Sequence, residues 1–333
     1  MKVGIIGCGK IADKRAAFIT KDELVGCFDI SDEASDYISK KYNCKKYPDA
    51  ESLIKDVDGV IISTSNDGLY ENTMIAICEK KHVLVEKPAS INSNQIMDLI
   101  RERKRNKVVV QVGFNHRFHP SFIDIQKIIR DGGIGSLMFI RANYGHGGRK
   151  GYDKEWRSKS SKGGGELLDQ GVHLIDLSRW IFGEEFEKIS GSVKNYFWDM
   201  EVEDNGFMML ETITEKIAFL NVSCTEWKNE FSFDIYGKTG KISVRGLGGS
   251  YGTESMTIYK MKPQMDMPDI ERREYHIEYD NSWLKEWEKF KYKIFGNQYY
   301  AVPDLSDALS AMLIVEKIRE MDSANKNTQT TTG

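Results

Sequence analysis

The first third of the chain alternates between short apolar runs and stretches in which apolar residues recur at helical spacing. The runs predict five strands, and the stretches between them predict four helices. Near-continuous apolar strands separated by helices favour a parallel sheet covered on both faces. The predicted strands are Lys2–Ile6, Leu24–Phe28, Gly59–Ser63, Val83–Glu86 and Val108–Val112, and the predicted helices are Lys10–Thr20, Asp32–Lys41, Leu69–Lys80 and Ser93–Arg105.

The pattern changes after about Pro120. An amphipathic helix is followed by seven β runs with a single helix among them, and two helices close the chain. Such an order favours a mostly antiparallel sheet in an α+β domain. The predicted helices are Ser121–Arg130, Gly165–Phe182, Ser282–Phe295 and Leu305–Met321, and the β runs are Leu137–Tyr144, Ile189–Trp198, Gly206–Ile213, Lys216–Cys224, Phe231–Tyr236, Lys241–Arg245 and Glu271–Tyr279.

These patterns predict an α/β protein with an N-terminal doubly wound parallel sheet and a C-terminal α+β domain built on a large, open, mostly antiparallel sheet. The predicted domains are residues 1–119 and 120–321, followed by a flexible polar tail at 322–333. The length of 333 residues suits two domains, and 40% hydrophobic residues are enough for two cores.

Composition argues against some kinds of binding partner and some cellular locations. A net charge of −3 gives no support for a nucleic-acid or anionic-membrane partner. No apolar run approaches the roughly 20 residues that a membrane span needs, and no secretory signal is recognisable. Five irregularly spaced cysteines without a C-x-x-C motif are typical of free thiols in a reducing compartment, so a cytoplasmic location is expected.

A glycine motif follows the first strand and opens the first helix. Gly7-Cys8-Gly9-Lys10-Ile11-Ala12 fits the pattern G-x-G-x-x-A, in which Gly7 permits a tight turn and Gly9 lets the backbone approach a pyrophosphate at the helix N-terminus. Asp29 lies 20 residues beyond Gly9, where its carboxylate can accept both ribose hydroxyls. An ordinary glycine turn is the alternative. The pattern predicts a dinucleotide site that includes Lys10 and Ile11. The Asp29 carboxylate favours NAD over NADP, because it would repel a 2′-phosphate.

Two further groups of polar residues follow predicted strands at the ligand-binding edge of the sheet. Thr64 and Asn66 can contact ribose or nicotinamide, although a polar loop capping the next helix explains them equally well. Glu86-Lys87-Pro88 places a charged pair at the same edge, so Glu86 and Lys87 are also expected to contact the cofactor. The Lys87 amine could polarise a substrate oxygen or exchange a proton with it, and a surface salt bridge is the alternative.

A glycine run, Gly163-Gly164-Gly165, leads into the predicted helix that carries Asp169 and His173. These two residues are four apart and would project from one helix face, where the carboxylate could orient the imidazole for acid–base chemistry. The alternative is a core histidine paired with a carboxylate. No H-E-x-x-H motif or cysteine cluster supports a metal, so none is expected.

The motifs in this order resemble the glucose-fructose oxidoreductase, inositol dehydrogenase and MocA (Gfo/Idh/MocA) family. The resemblance extends over nearly the whole chain and includes G-C-G-K-I-A, E-K-P, G-F-N-H-R-F-x-P at residues 113–120, Trp156-Arg157, the run G-G-G-E-L-L-D-Q-G-V-H-L-I-D at 163–176, and Asp307-Ala308-Leu309. It implies a Rossmann domain, a second domain with a large open sheet, and NAD(P)-dependent hydride transfer at a secondary alcohol of a sugar, cyclitol or nucleotide sugar. It also implies Lys87, Asp169 and His173 as catalytic residues, with His173 as the acid–base group.

Two positions depart from the family pattern, because Ser65 stands where many members have Pro and Leu69 where many have His. Both positions lie near the expected cofactor loop. The residues expected on the substrate side are partly basic, which is similar to family members that act on anionic nucleotide sugars. The alternative is that these cations belong to solvated loops. The expected substrate residues are Asn115, Arg117, Tyr144, His146, Arg149, Trp156 and Arg157, together with Lys87, Asp169 and His173.

The sequence thus predicts a dehydrogenase or ketoreductase for a sugar-like substrate. The resemblance also implies a homodimer or homotetramer. Two rival hypotheses are an enzyme that retains NAD and uses transient oxidation for elimination or glycoside cleavage, and a non-catalytic sensor of dinucleotide or sugar. The joint presence of Lys87, Asp169 and His173 argues against the sensor.

Overall fold

The computed structural model describes residues 1–20, 23–276, 280–296 and 301–330. They form two compact units, each discontinuous in sequence. The first comprises the described residues of Met1–Asn115, Ser161–Gly163 and Trp283–Met312, and the second those of His116–Ser160, Gly164–Ser282 and Leu313–Gly333. The predicted division into a dinucleotide-binding domain and a substrate domain between residues 119 and 120 stays a prediction.

The first unit is built on a six-stranded parallel sheet with the order β3-β2-β1-β4-β5-β6. Its strands are β1 (Val3–Ile6), β2 (Leu24–Phe28), β3 (Lys45–Lys46), β4 (Gly59–Ile62), β5 (His82–Val85) and β6 (Val110–Val112). Its helices are α1 (Lys10–Ala16), α2 (Asp32–Tyr42), α3 (Ala50–Asp56), α4 (Asn66–Cys78) and α5 (Ser93–Asn106). All four residues of β1 and of β4 are buried, as expected for strands covered on both faces.

The second unit contains an eight-stranded sheet with the order β14-β13-β12-β11-β7-β10-β9-β8. Every neighbouring pair is antiparallel except β7 and β10, which are parallel. The helices are α6 (Pro120–Arg130) and α7 (Val172–Phe182), and the strands are β7 (Leu137–Gly145), β8 (Phe186–Lys194), β9 (Asn205–Thr212), β10 (Ile217–Ser223), β11 (Glu230–Gly237), β12 (Gly240–Arg245), β13 (Glu254–Lys260) and β14 (Asp269–Tyr275). The predicted fold class is confirmed.

Burial alternates along the strands of this second sheet. Phe231, Phe233 and Ile235 of β11 are buried, and the residues between them are half-buried. Alternation of this kind is typical of a sheet that packs on one face only. The core of the second unit therefore lies on one side of its sheet.

Two helices close the chain, α8 (Ser282–Ile294) and α9 (Leu305–Thr330). The sequence placed both in the second domain, but Trp287 and Phe290 of α8 pack into the core of the first unit against residues such as Ile5 and Leu24. Helix α9 includes residues 322–330 of the predicted tail, while residues 331–333 lie outside the described part.

Several predicted elements differ in detail from the structure. β3, α3 and β13 were not predicted, and the run expected over Ile189–Trp198 ends at Lys194. It ends there because the Asp204 carboxylate accepts the backbone N–H groups of residues 196–198 and so forms a turn. Residues 277–279 of the predicted final strand lie outside the described part. Among the described helices, none combines the length and apolar character that a bilayer crossing requires.

Candidate active site

The glycine motif of the first unit forms the turn between β1 and α1. Gly7 has φ +87°, and a Cβ at this position would lie 2.5 Å from the backbone N of Thr64. Gly9 precedes α1 without a side-chain cap, and a Cβ there would meet no atom within 4 Å. Lys10 and Ile11 begin the helix. The free N–H groups of the first turn and the open space at Gly9 fit a dinucleotide pyrophosphate.

Asp29 lies just beyond β2 and is tied to the glycine turn. Its Oδ2 accepts the backbone N–H of Cys8 at 2.6 Å, and its Oδ1 accepts that of Ser31 at 2.8 Å. A carboxylate oxygen can accept more than one hydrogen bond. Asp29 can therefore also accept ribose hydroxyls while it fixes the turn.

Thr64 and Asn66 follow β4, and both have partners within the protein. Thr64 Oγ1 donates to the Ser65 carbonyl at 3.0 Å. The buried Asn66 donates from Nδ2 to the Gly163 carbonyl at 2.8 Å. Asn66 thus anchors the segment 161–163, and its predicted contact with the cofactor stays a prediction.

Glu86 and Lys87 follow β5. Glu86 is buried and its Oε1 accepts Nε of Arg15 at 2.6 Å, while Nη1 of Arg15 donates to Glu286 at 2.8 Å. Lys87 is half-buried, and the Lys87–Pro88 peptide bond is cis. Its contact with Arg15 gives Glu86 a structural role, because the pair fixes this edge of the first unit.

In the second unit, Asp169 and His173 lie at the start of the helical segment that the sequence predicted as regular α-helix. Residues Leu167–Gly171 instead form a π-helical turn, and α7 begins after it. The regular α-helix predicted from Gly165 is therefore wrong at Leu167–Gly171, where the backbone follows the i→i+5 pattern of a π-helix. His173 is 5% exposed and stacks on His116, with ring centroids 3.9 Å apart.

Asp169 is held by an arginine. Its Oδ2 accepts Nε of Arg157 at 2.9 Å, and the Asp169 charge is the main cause that raises the pKa of Arg157. The Arg157 guanidinium lies 4.4 Å from the ring centroid of Trp156. The structure therefore brings Trp156, Arg157 and Asp169 together. Their assignment to the substrate side stays a prediction.

A buried polar cluster adjoins Asp169. Tyr152 donates from Oη to Oε1 of Glu166 at 3.0 Å, and Nε2 of His146 lies 3.4 Å from that Oη. Burial, followed by the charge of Asp169, raises the pKa of Glu166 to about 8. Burial also lowers the pKa of His146. Near neutral pH the cluster therefore holds a protonated carboxyl beside a neutral imidazole.

Sequence reasoning identified His146 but missed Tyr152 and Glu166. Glu166 was visible as one charged residue between the glycine run and the buried pair Leu167-Leu168. The side chain of Tyr152 is fully buried. Its contact with Glu166 spans 14 residues and could not be read from local spacing.

His146, Glu166 and Asp169 each place one potential metal-ligand atom within 4.8 Å of the others. However, Nδ1 of His146 accepts the backbone N–H of Gly148 at 2.9 Å, which assigns the ring proton to Nε2, the nitrogen nearer Glu166. A metal-bound histidine presents an unprotonated nitrogen to the metal and usually donates from the other. A hydrogen-bonded cluster therefore fits this geometry better than a metal site, and the expected absence of a metal stays a prediction.

Two of the remaining predicted substrate residues, Arg117 and Arg149, form ion pairs within the second unit. Arg117 is buried in a two-pronged ion pair with Asp176, with Nε–Oδ2 at 2.7 Å, and this pair accounts for it without a ligand. Arg149 pairs with Glu155 at 2.5 Å and is half exposed. Tyr144 is buried. Asn115 is buried in the first unit.

Taken by unit, the first brings together the glycine turn and Asp29 and carries Lys87 after β5. The second brings together Trp156, Arg157 and Asp169, and it also contains Tyr144, His146 and His173. The arrangement supplies a dinucleotide-compatible turn on one unit and a buried acid–base constellation on the other.

Two family models match this chain. The model described as "Oxidoreductase family, NAD-binding Rossmann fold" matches residues 1–114, and the model described as "GFO/IDH/MocA C-terminal domain" matches residues 122–243. Together they cover more than two thirds of the chain. The chain belongs to the Gfo/Idh/MocA family. This Gfo/Idh/MocA protein is an NAD(P)-dependent oxidoreductase, as the sequence predicted.

Curated relatives of this Gfo/Idh/MocA member include sugar and cyclitol dehydrogenases. Glucose-6-phosphate 3-dehydrogenase of Bacillus subtilis is 25% identical, over 97% of this chain and 96% of its own length. Inositol 2-dehydrogenase/D-chiro-inositol 3-dehydrogenase of Lactiplantibacillus plantarum is 26% identical over 84% of each chain.

Solved structures share the fold of the whole chain. Levoglucosan dehydrogenase in complex with NADH and levoglucosan superposes with a TM-score of 0.86 at 19% identity, covering 97% of each chain. UDP-N-acetylglucosamine 3-dehydrogenase of Acidithiobacillus ferrooxidans superposes with a TM-score of 0.78 at 18% identity, covering 96% of each. At these identities, the likeness establishes the fold alone.

Proposed function

We propose that this oxidoreductase interconverts a secondary alcohol and a ketone on a sugar-like substrate, with NAD(H) as its cofactor. The observation that carries the proposal is the buried acid–base constellation at the start of α7, where His173 is enclosed and Asp169 is held by Arg157. It occurs in a chain whose glycine turn fits a dinucleotide. The curated relatives act on inositol and glucose 6-phosphate, which are ring polyols with several secondary hydroxyls.

When bound, NAD accepts the hydride that leaves the carbinol carbon, and the oxygen must lose its proton at the same time. We assign that proton to His173, since an imidazole exchanges protons near neutral pH. Asp169 orients His173 or accepts a hydrogen bond from a substrate hydroxyl, and its link to Arg157 fixes its position. Lys87 polarises the substrate oxygen or relays its proton.

The cofactor should be NAD(H) in preference to NADP(H). The Asp29 carboxylate is tied to the glycine turn, where a 2′-phosphate would meet its charge. One hydrogen bond gained and one repulsion avoided favour NAD by roughly tenfold or more in kcat/KM. A higher kcat/KM with NADP would contradict this preference.

The central experiment compares His173→Ala and Lys87→Ala with the unchanged enzyme, across a panel of sugars, cyclitols and nucleotide sugars. Each variant should bind NAD nearly normally and lose roughly 10²- to 10⁴-fold in kcat. His276→Ala and Lys104→Ala change exposed residues and serve as matched controls. A His173→Ala enzyme with full turnover and an unchanged pH profile would show that the histidine only packs.

We further propose that the protein works in the cytoplasm as a homodimer or homotetramer. Large apolar side chains on the outer face of the second sheet support the oligomer. Phe207, Met209 and Phe219 are 38%, 50% and 53% exposed, and Phe219 lies directly opposite Met209. Exposed contiguous apolar surface of this kind usually marks an interface, and a second copy of the chain is the proposed occupant.

A further inference from the structure

His116 is the residue against which His173 packs face to face. The two imidazole rings have centroids 3.9 Å apart and planes inclined by 28°, and each residue is 5% exposed. We infer that His116 is a positioning residue that holds the ring plane of His173. The inference rests on the proposed function, because it matters for catalysis only if His173 handles the substrate proton.

The ring of His116 is itself fixed by aromatic neighbours within the second unit. Tyr144 lies at 5.3 Å between ring centroids, and His119 meets His116 edge-on at 5.7 Å. Phe231 lies at 6.2 Å. A ring enclosed on several sides cannot tilt without moving its neighbours. His116 therefore presents a fixed face to His173.

A buried hydrogen-bonded pair, His119 and Glu254, anchors this aromatic group. Nδ1 of His119 lies 3.0 Å from Oε2 of Glu254, whose Oε1 accepts the backbone N–H of Ser121 at 2.8 Å. Glu254 is 2% exposed and belongs to β13. A continuous series of contacts thus runs from β13 through His119 and His116 to His173.

The stack also bears on where a proton can reside. Two protonated imidazoles at this separation would repel each other, so the contact disfavours a state in which both rings are charged. Among the described residues, the titratable groups that contact the pair include His119 and Tyr144. Tyr251 and Asp169 lie near Tyr144, and Glu254 and Asp280 lie near His119. His116 meets His173 with its ring face, so the contact itself requires a planar ring and no nitrogen.

The test compares His116→Phe, which keeps a planar ring without a titratable nitrogen, with His116→Leu, which fills similar space without a ring. We expect His116→Phe to retain kcat within about threefold, and His116→Leu to lose roughly ten- to a hundredfold. The dissociation constant for NAD should be unchanged in both. Melting curves and circular dichroism establish that the variants are folded.

Two outcomes would overturn the inference. A folded His116→Leu enzyme with full kcat would show that the stack does not position His173. A folded His116→Phe enzyme as slow as His116→Leu would show that a nitrogen of His116 is needed, as in a proton relay. His173→Ala is measured in parallel, because full activity in that variant contradicts the proposed function, whatever His116 does.

The unchanged protein offers a measurement that does not depend on any variant folding. In a stacked pair, each imidazole lies in the shielding region of the other, so two of the six histidines should show carbon-bound ring protons shifted upfield in NMR of ¹³C-histidine-labelled protein. Absence of such a pair would also overturn the inference.

Discussion

Glu166 is a carboxyl group whose surroundings favour its protonated form. It is 1% exposed, and this burial outweighs the hydrogen bond that its Oε1 accepts from Tyr152, which by itself lowers the pKa. Its neighbour Asp169 is already paired with Arg157, so Asp169 keeps the negative charge and Glu166 keeps the proton. A fully buried carboxyl beside a charged one is a general way to hold a proton near neutral pH.

The raised pKa of Glu166 predicts how stability depends on pH. The folded-state pKa of about 8 lies above the ordinary value of 4.5, so the folded chain retains a proton that the unfolded chain releases. The stability contributed by this group is complete below about pH 4.5 and is lost as the pH rises through about 8. Glu166→Gln should remove that dependence, so that between pH 5 and 9 the wild type loses roughly 2–5 kcal/mol relative to the variant.

Thermal and urea unfolding of both proteins at several pH values measures this difference. Glu187→Gln changes an exposed carboxylate on β8 and should follow the wild type. Parallel pH curves for wild type and Glu166→Gln would mean that Glu166 titrates as an ordinary carboxyl.

At the scale of single residues, the sequence identified those side chains and glycines that belong to a local motif. Gly7, Gly9 and Asp29 occupy the turn that the motif predicted, and their contacts fit its physical reason. Glu166 and His116 were missed because their roles depend on burial and on partners 14 and 57 positions away. Neither burial nor a partner distant in sequence leaves a local pattern of residues.

Among the elements, α8 shows how a helix can be predicted while its partner is not. Its apolar spacing indicated a helix, but spacing does not say which core the helix joins. Trp287 and Phe290 enter the core of the first unit, and Glu286 reaches Arg15 of α1. The elements that were missed altogether are short or polar, such as β3, which consists of two lysines.

The buried Arg15 of α1, which pairs with Glu286 of α8, should therefore be needed to hold α8 in place. The side chains of Arg15, Glu86 and Glu286 are 2%, 10% and 0% exposed. Arg15→Ala would leave two carboxylates buried without their cation, at a cost of about 3–5 kcal/mol. Hydrogen exchange followed by mass spectrometry should show faster exchange in peptides from α1 and α8.

Glu288→Ala is the control, because Glu288 is an exposed charged residue on α8 itself. Unchanged protection of α8 in Arg15→Ala would mean that apolar packing alone retains the helix.

At the scale of the whole chain, the two sheet types followed from periodicity. Continuous apolar runs gave the parallel sheet, and alternating runs gave the antiparallel one. The parallel pairing of β7 with β10 could not be read from the sequence, because strand order depends on contacts between segments about 80 residues apart. The alternation of apolar and polar residues also does not show what covers the outer face of the second sheet.

That outer face carries the last prediction. Phe219 of β10 lies between Met209 of β9 and Arg141 of β7, so a lysine at Phe219 would place a second cation beside Arg141. A stable dimer buries at least about 1,000 Å² in total, and an ammonium group buried beside a like charge in such an interface costs several kcal/mol. Light scattering coupled to size exclusion should therefore find an oligomer for the wild type and a smaller species for Phe219→Lys. Ile30→Lys, at a residue 97% exposed in the first unit, should leave the mass unchanged. A monomeric wild type, or a Phe219→Lys variant with the wild-type mass, would show that no second copy covers this face.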